Sequence, residues 1–132
     1  MDQGLTKSIG VSNFNLQMMA DLLCYCRHKP VVNEIELNPT IIQEELLRFL
    51  KAQNIYAIAY SPVCRLGTVD NDALWQNERF EQICQTHQKS KAQVMLNWAV
   101  ARGTIPIPRS ATLAHIQENI QIFDFMLTPE ET

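Results

Sequence analysis

The sequence has 132 residues, the size of one ordinary domain with room for an apolar core. Hydrophobic residues make up 46% and charged residues 19%, which excludes disordered and fibrous classes. A formal charge of −3 gives no electrostatic ground for nucleic-acid binding, and no apolar run approaches the ~20 residues of a membrane span.

In chain order, the first element is a short apolar strand at residues 7–11, and similar runs recur at 31–35, 55–60 and 104–107. Val31-Val32 and the stretch 55–60 are almost unbroken by charge, as in strands buried on both faces of a parallel sheet. Helical periodicity fills the intervals. Met19, Leu22, Leu23 and Cys26 form one apolar stripe after the first strand. Thr40 with Gln43 predicts a capping box opening onto Leu46, Leu47 and Leu50. The long interval before the fourth strand predicts two helices, with stripes Phe80, Ile83, Cys84, His87 and Ala92, Met95, Leu96, Ala99. Ser90 and Gln93 cap the second of these, and Gly103 closes it in the left-handed conformation. Leu113, Ile116 and Ile120 predict a last helix.

Strands alternating with helices imply parallel pairing through right-handed crossovers. Either an open doubly wound sheet or part of a (β/α)8 barrel fits. A whole barrel needs about 250 residues, so four repeats make at most half of one. Both ends are expected to be cut. Met1 lies close to the first strand, and Thr128-Pro129-Glu130-Glu131 opens a helix with no apolar stripe behind it. Met1-Asp2-Gln3-Gly4 shows no secretory signal. Cys24, Cys26, Cys64 and Cys84 do not match a disulfide scaffold or a zinc spacing, so reduced thiols in a cytoplasmic protein are expected, with Cys64 the accessible one. His87, Trp75 and Trp98 are expected to pack rather than bind.

In both architectures ligands bind beyond the carboxyl ends of the strands. Those positions hold Ser12-Asn13-Phe14, then Asn33-Glu34 with Glu36 and Asn38-Pro39, then Tyr60-Ser61-Pro62, then Pro106-Ile107-Pro108-Arg109-Ser110. The last has the clearest chemistry. Arg109 precedes a helix expected to begin at Ser110, Ala111 and Thr112, and Thr112, His115 and Asn119 share one helical face. A guanidinium, hydroxyls and an imidazole around unpaired helical N–H groups suit a phosphate. With four glycines there is no G-x-G-x-x-G and no P-loop.

Ile9-Gly10-Val11-Ser12-Asn13-Phe14, Val32-Asn33-Glu34-Ile35-Glu36-Leu37-Asn38-Pro39, Ala59-Tyr60-Ser61-Pro62, Ile107-Pro108-Arg109-Ser110 and Ile116-Gln117-Glu118-Asn119 together resemble the aldo-keto reductases in order and spacing. The resemblance runs over essentially the whole chain. It implies an α/β fold, a partial (β/α)8 TIM barrel with about four parallel strands and crossover helices, residues 1–132 being strands five to eight. It also implies NADP(H) as cofactor and reduction of aldehydes and ketones to alcohols. Residue by residue, Ser12 and Asn13 resemble the pair that holds the nicotinamide carboxamide, and Tyr60 the aromatic that stacks on its ring. Ser61 and Val63 fall on the loop that meets the pyrophosphate. Arg109, Ser110, Thr112 and His115 correspond to the 2′-phosphate site, with Glu118 and Asn119 near the adenine.

Two positions depart from the pattern. Glu34 replaces a usual glutamine at the carboxamide, so it accepts but cannot donate. His115 replaces a common arginine, so the grip on phosphate is weaker and fades as the imidazole loses its proton. Arg109 in place of a common lysine still grips phosphate, in a fork. The family's catalytic tyrosine, lysine, aspartate and histidine belong to the other half of the barrel, so the resemblance gives this chain no catalytic residue and no carbonyl substrate without that half. A non-catalytic module binding a nucleotide or a partner, and an unrelated phosphate-binding doubly wound domain, are the competing readings. Open sheet edges predict self-association or poor folding of the chain alone.

Overall fold

A computed structural model describes residues 1–64 and 72–132. Four parallel strands pair in sequence order: β1 (Gly10–Ser12), β2 (Val32–Glu36), β3 (Tyr56–Tyr60) and β4 (Ile105–Pro106). Gly10 faces Val32, Val32 faces Tyr56, and Ile58 faces Ile105. Consecutive parallel neighbours joined by right-handed crossovers carry their helices on one face. The burial pattern agrees with that arrangement. Asn33, Ile35, Ala57 and Ala59 are buried, whereas Val32, Glu34, Glu36, Ile58 and Tyr60 are half-exposed on the open face.

All four strands begin one to three residues later than the hydrophobic runs predict, and pairing in β1 and β2 continues one residue further, to Ser12 and Glu36. Glu34 and Glu36 therefore lie within β2 and not beyond it. Gly10 sits where β1 approaches β2 most closely: a Cβ there would lie 2.3 Å from Val32 Cγ2.

Helix α1 (Leu16–Tyr25) is capped by Asn15, whose side chain accepts from Met18 N at 2.9 Å, and it buries Met19. Helix α2 (Glu44–Ala52) corrects the expected Thr40–Gln43 capping box. Gln43 is itself the cap, left-handed at φ 48°, and offers the helix no side-chain bond. Thr40 instead donates its hydroxyl to Asn38 Oδ1 at 2.7 Å, because that buried amide lies nearer than the helix start. The long connection holds a short helix α3 (Asp72–Trp75) besides the expected α4 (Glu78–His87) and α5 (Lys91–Ala101). The Ser90–Gln93 box is formed, and Gly103 follows α5 at φ 75°. His87 lies 3.0 Å from Glu131 and packs against the Phe125 ring, and Trp75 meets Phe80 edge-on.

Helix α6 (Leu113–Ile120) starts later than expected. Ser110 and Ala111 lie in the preceding turn, where Ser110 Oγ accepts from Thr112 N at 3.1 Å, and Thr112 is the cap. The predicted stripe also fails as core: Leu113, Ile116 and Ile120 are 69%, 51% and 69% exposed.

Helix α5 is buried nearly all round, and its polar residues act as anchors. Gln93 Nε2 donates to the carbonyls of Glu118 and Gln121 at 3.3 and 3.0 Å, and Asn97 Nδ2 to those of Ile122 and Phe125 at 2.8 and 3.1 Å. Trp98 Nε1 donates to the Thr132 carbonyl. The final turn is fixed by Thr128 N–H, which donates to Glu131 at 2.8 Å and, with His87, holds that carboxyl below its ordinary range. A lowered pKa means this contact stabilises the fold above the carboxylate range and is lost as acidification passes through it.

A buried donor whose loss strands two carbonyls is costly. Asn97→Ala is expected to destabilise the protein by roughly 2–4 kcal/mol in urea denaturation, whereas an Ala at exposed Gln85 should change it by less than about 0.5 kcal/mol.

Candidate functional site

The carboxyl ends of the strands carry two adjoining polar clusters. The first is held together by hydrogen bonds among residues from three strands. Ser12 Oγ donates to the Glu34 carbonyl at 3.1 Å, and Asn13 N–H donates to the same oxygen at 2.8 Å. The Tyr60 hydroxyl donates to Asn13 Oδ1 at 3.0 Å. Ser12, Asn13, Glu34 and Tyr60 are thus brought together. In register, Glu34 stands across from Ser12 on one side and Ile58 on the other. Among the described residues its carboxylate has no hydrogen-bond or ion-pair partner.

The turns leaving these strands are sharp. Asn13, Ser61 and Cys64 have φ of 59°, 50° and 59°, and none is glycine. Side chains other than glycine and asparagine resist that region, and such residues persist only where their surroundings fix them. Ser61 is held through its carbonyl, which accepts from Cys64 N–H at 3.1 Å and Asn38 Nδ2 at 3.4 Å. Val63 lies half-buried on the same turn, next to a fully buried Pro62.

Asn33 and Asn38, expected on the rim, are buried at 0% and 2% and serve it as structural anchors. Their signal in the sequence is an amide beside the apolar residues Val32, Ile35 and Leu37. Such a group must find partners when buried.

The second cluster sits after β4. Ile107 N–H donates to the Ala59 carbonyl at 3.0 Å, so the exit of β4 runs beside the exit of β3 and the two clusters adjoin. Arg109 and His115 are exposed, and among the described residues neither makes a hydrogen bond or ion pair. Thr112 makes no side-chain cap bond, so the N–H groups of residues 113–115 lack intrahelical acceptors. A guanidinium, hydroxyls, an imidazole and the positive end of a helix thus lie close together along the chain at the β4 exit. Glu118 and Asn119 lie half-buried further along α6. Asn119 and Ser110 line a mostly apolar cleft of about 890 Å³ with Pro106, Pro108, Ile116 and Phe123.

Among the described residues no cluster of His, Cys, Asp and Glu could hold a metal ion, and no helix is long and apolar enough to cross a membrane. The Tyr60 hydroxyl is engaged by Asn13, and among the described residues no lysine or histidine is hydrogen-bonded to it.

Cys64 corrects the expected accessible thiol. It is 7% exposed, and burial pushes its pKa up, joined by the charge of Glu36 and opposed by a hydrogen bond with Thr40. Cys24 is the exposed thiol.

The family model described as the Aldo/keto reductase family matches residues 1–132. Aldo-keto reductase family 1 member A1-A of Danio rerio is 39% identical over 138 residues, covering 99% of this chain and 42% of its own. Aldose reductase B of Dictyostelium discoideum is 43% identical, covering 99% and 41%. The chain thus spans about two fifths of the length of the curated relatives it matches. Among solved structures, a Bombyx mori aldo-keto reductase in complex with NADP superposes with a TM-score of 0.88 at 36% identity, over 98% of this chain and 44% of that one. An aldo-keto reductase complexed with NADPH gives 0.87 at 35% identity, over 98% and 41%.

A thiolate, not a thiol, attacks an alkylating reagent, and it must be reachable. Iodoacetamide at neutral pH followed by peptide mass spectrometry should modify Cys24 first. Cys64 and Cys84 should react only after denaturation.

Proposed function

Because the chain belongs to the aldo/keto reductase family, we propose that it supplies the cofactor-binding, C-terminal half of an NADP(H)-dependent oxidoreductase that reduces aldehydes and ketones to alcohols. The observation that carries this reading is the pair of adjoining clusters at the strand ends. One offers amide, hydroxyl and aromatic groups, and the other offers cations at a helix start. A dinucleotide has the matching ends, a flat carboxamide-bearing ring and a phosphorylated adenosine. The NADP and NADPH complexes of the Bombyx mori and related reductases support the assignment.

In this reading Ser12 and Asn13 hold the carboxamide, Tyr60 stacks on the ring, and the turn bearing Ser61 and Val63 meets the pyrophosphate. Arg109, Ser110, Thr112 and His115 take the 2′-phosphate, with Glu118 and Asn119 beside the adenine. When bound, the reduced nicotinamide supplies hydride to a carbonyl carbon. The groups that deliver the proton and shape the substrate pocket are assigned to the complementary half, so this chain alone binds cofactor without turnover. Ile105, Ile107, Leu113, Ile116 and Ile120, exposed along β4 and α6, support association with that half or with a second copy. The free thiols accord with a reducing cytoplasm.

The absence of a proton-moving group at the described rim favours one other reading, a non-catalytic nucleotide-binding module. Turnover of an aldehyde by the protein reconstituted with the remaining half of such a barrel separates the two.

Fluorescence titration with NADPH tests the site. Losing a charge-assisted phosphate contact weakens binding by about ten- to a hundredfold, so Arg109→Ala should weaken NADPH by that factor and change NADH by less than about twofold. The Glu34 carboxylate stands where the ring is positive only when oxidised. Glu34→Gln should therefore shift the ratio of NADP+ to NADPH affinity about three- to tenfold toward the reduced form.

A further inference from the structure

Asn33 is wholly buried on the helix-bearing side of β2, where its partners across the sheet, Val11 and Ala57, and Ile35 two residues on are apolar. A polar side chain in that position must be bonded, and Asn33 is bonded to a loop and not to the strand ladder. Its Nδ2 donates to the Phe14 carbonyl at 2.7 Å, and its Oδ1 accepts from Phe14 N–H at 3.4 Å. One amide thus satisfies both backbone groups of the residue after Asn13. On the other side, Asn13 N–H is taken by the Glu34 carbonyl.

Asn13 is therefore pinned at both ends while it occupies the left-handed region at φ 59°. That conformation turns the chain out of β1 and presents the Asn13 side chain to the Tyr60 hydroxyl, 3.0 Å away. Strand β2 reaches across to set the geometry of a group displayed by β1 against one displayed by β3. The Asn33 amide is hydrogen-bonded to Phe14 and to neither the Asn13 side chain nor Tyr60.

We infer that Asn33 is a positioning residue for the nicotinamide end of the cofactor, acting by locking the Asn13–Phe14 backbone so that Asn13 and Tyr60 meet. The inference rests on the cofactor reading given above and adds a residue to it. Loose support of a binding group by about 1 Å is enough to lose much of its contribution. The adenosine end is built on β4 and α6, remote from this lock in the chain, and keeps its geometry without it.

The test is differential. Asn33→Leu conserves volume in an apolar environment but leaves Phe14 N–H and C=O unpaired. Asn33→Thr, suited to a strand and able to donate one hydrogen bond, is the second variant should the first fold poorly. Affinities for NADPH and for 2′,5′-ADP are measured by titration of the full-length protein, with the melting temperature recorded alongside. The expected result is an NADPH affinity about tenfold or more weaker in Asn33→Leu, an intermediate loss in Asn33→Thr, and 2′,5′-ADP affinity within about twofold of wild type in both. Equal losses for both ligands, or loss of folding in both variants, would show a purely structural role and overturn the inference. Unchanged NADPH affinity would overturn it too, leaving the cofactor reading intact. Wild-type protein that binds neither ligand removes the cofactor reading itself, and the role of Asn33 with it.

Discussion

Everything at the rim depends on parallel pairing in sequence order. Four short strands with all helices on one face must leave the sheet at the same end, and each must turn sharply to reach its helix. The strands are only three, five, five and two residues long, so their exits fall within a few residues of one another. Backbone groups at those exits lose ladder partners where water is scarce. Side-chain amides replace them: Asn33 serves the first exit, and Asn38 serves the second and third. The left-handed residues Asn13, Ser61 and Cys64 are the backbone counterpart of the same constraint. The partial (β/α)8 architecture and the polar rim are therefore one feature described at two scales.

The far side of the molecule shows why the amino end of α6 stays open. Helix α5 grips only the carboxyl half of α6 and the segment after it, through Gln93 and Asn97. The amino end of α6, with Thr112 and His115, is left unclaimed by protein groups among the described residues. Fixing one end of a helix while freeing the other gives a rigid platform whose dipole is available to a ligand. Asn97 and Gln93 thereby connect the core to the site without approaching it.

Much of this was legible in the residues themselves. Period and apolar runs place the four strands and the long helices, since those signals come from burial and burial dominates. The Ser90–Gln93 box and Gly103 are read correctly because each is a local rule satisfied locally. Thr40–Gln43 follows the same local rule and fails, because Asn38 competes for the Thr40 hydroxyl through a tertiary arrangement that spacing cannot express. The exposed Leu113, Ile116 and Ile120 are the opposite case. Their periodicity is that of a core stripe, but the described residues hold no surface opposite them. Cys64 was misread because the turn after β3 folds inward, a consequence of backbone angles at Ser61 and Cys64. Asn33 and Asn38 are placed on the rim by the sequence, but their part as buried anchors is not legible there, since an amide is informative in that way only once its surroundings are known to be buried.

The outer border of β4 has one more consequence. Parallel strands point alternate N–H groups to opposite sides, and Ile107 N–H is spent on Ala59. The groups that would point outward belong to positions 106 and 108, both proline, which have none to give. An arriving strand finds carbonyls but no hydrogens to grasp, so pairing at this border is one-sided: the newcomer must donate and receives nothing back. A second copy presenting the same proline-edged border has no hydrogens to offer, whereas a strand of different sequence does.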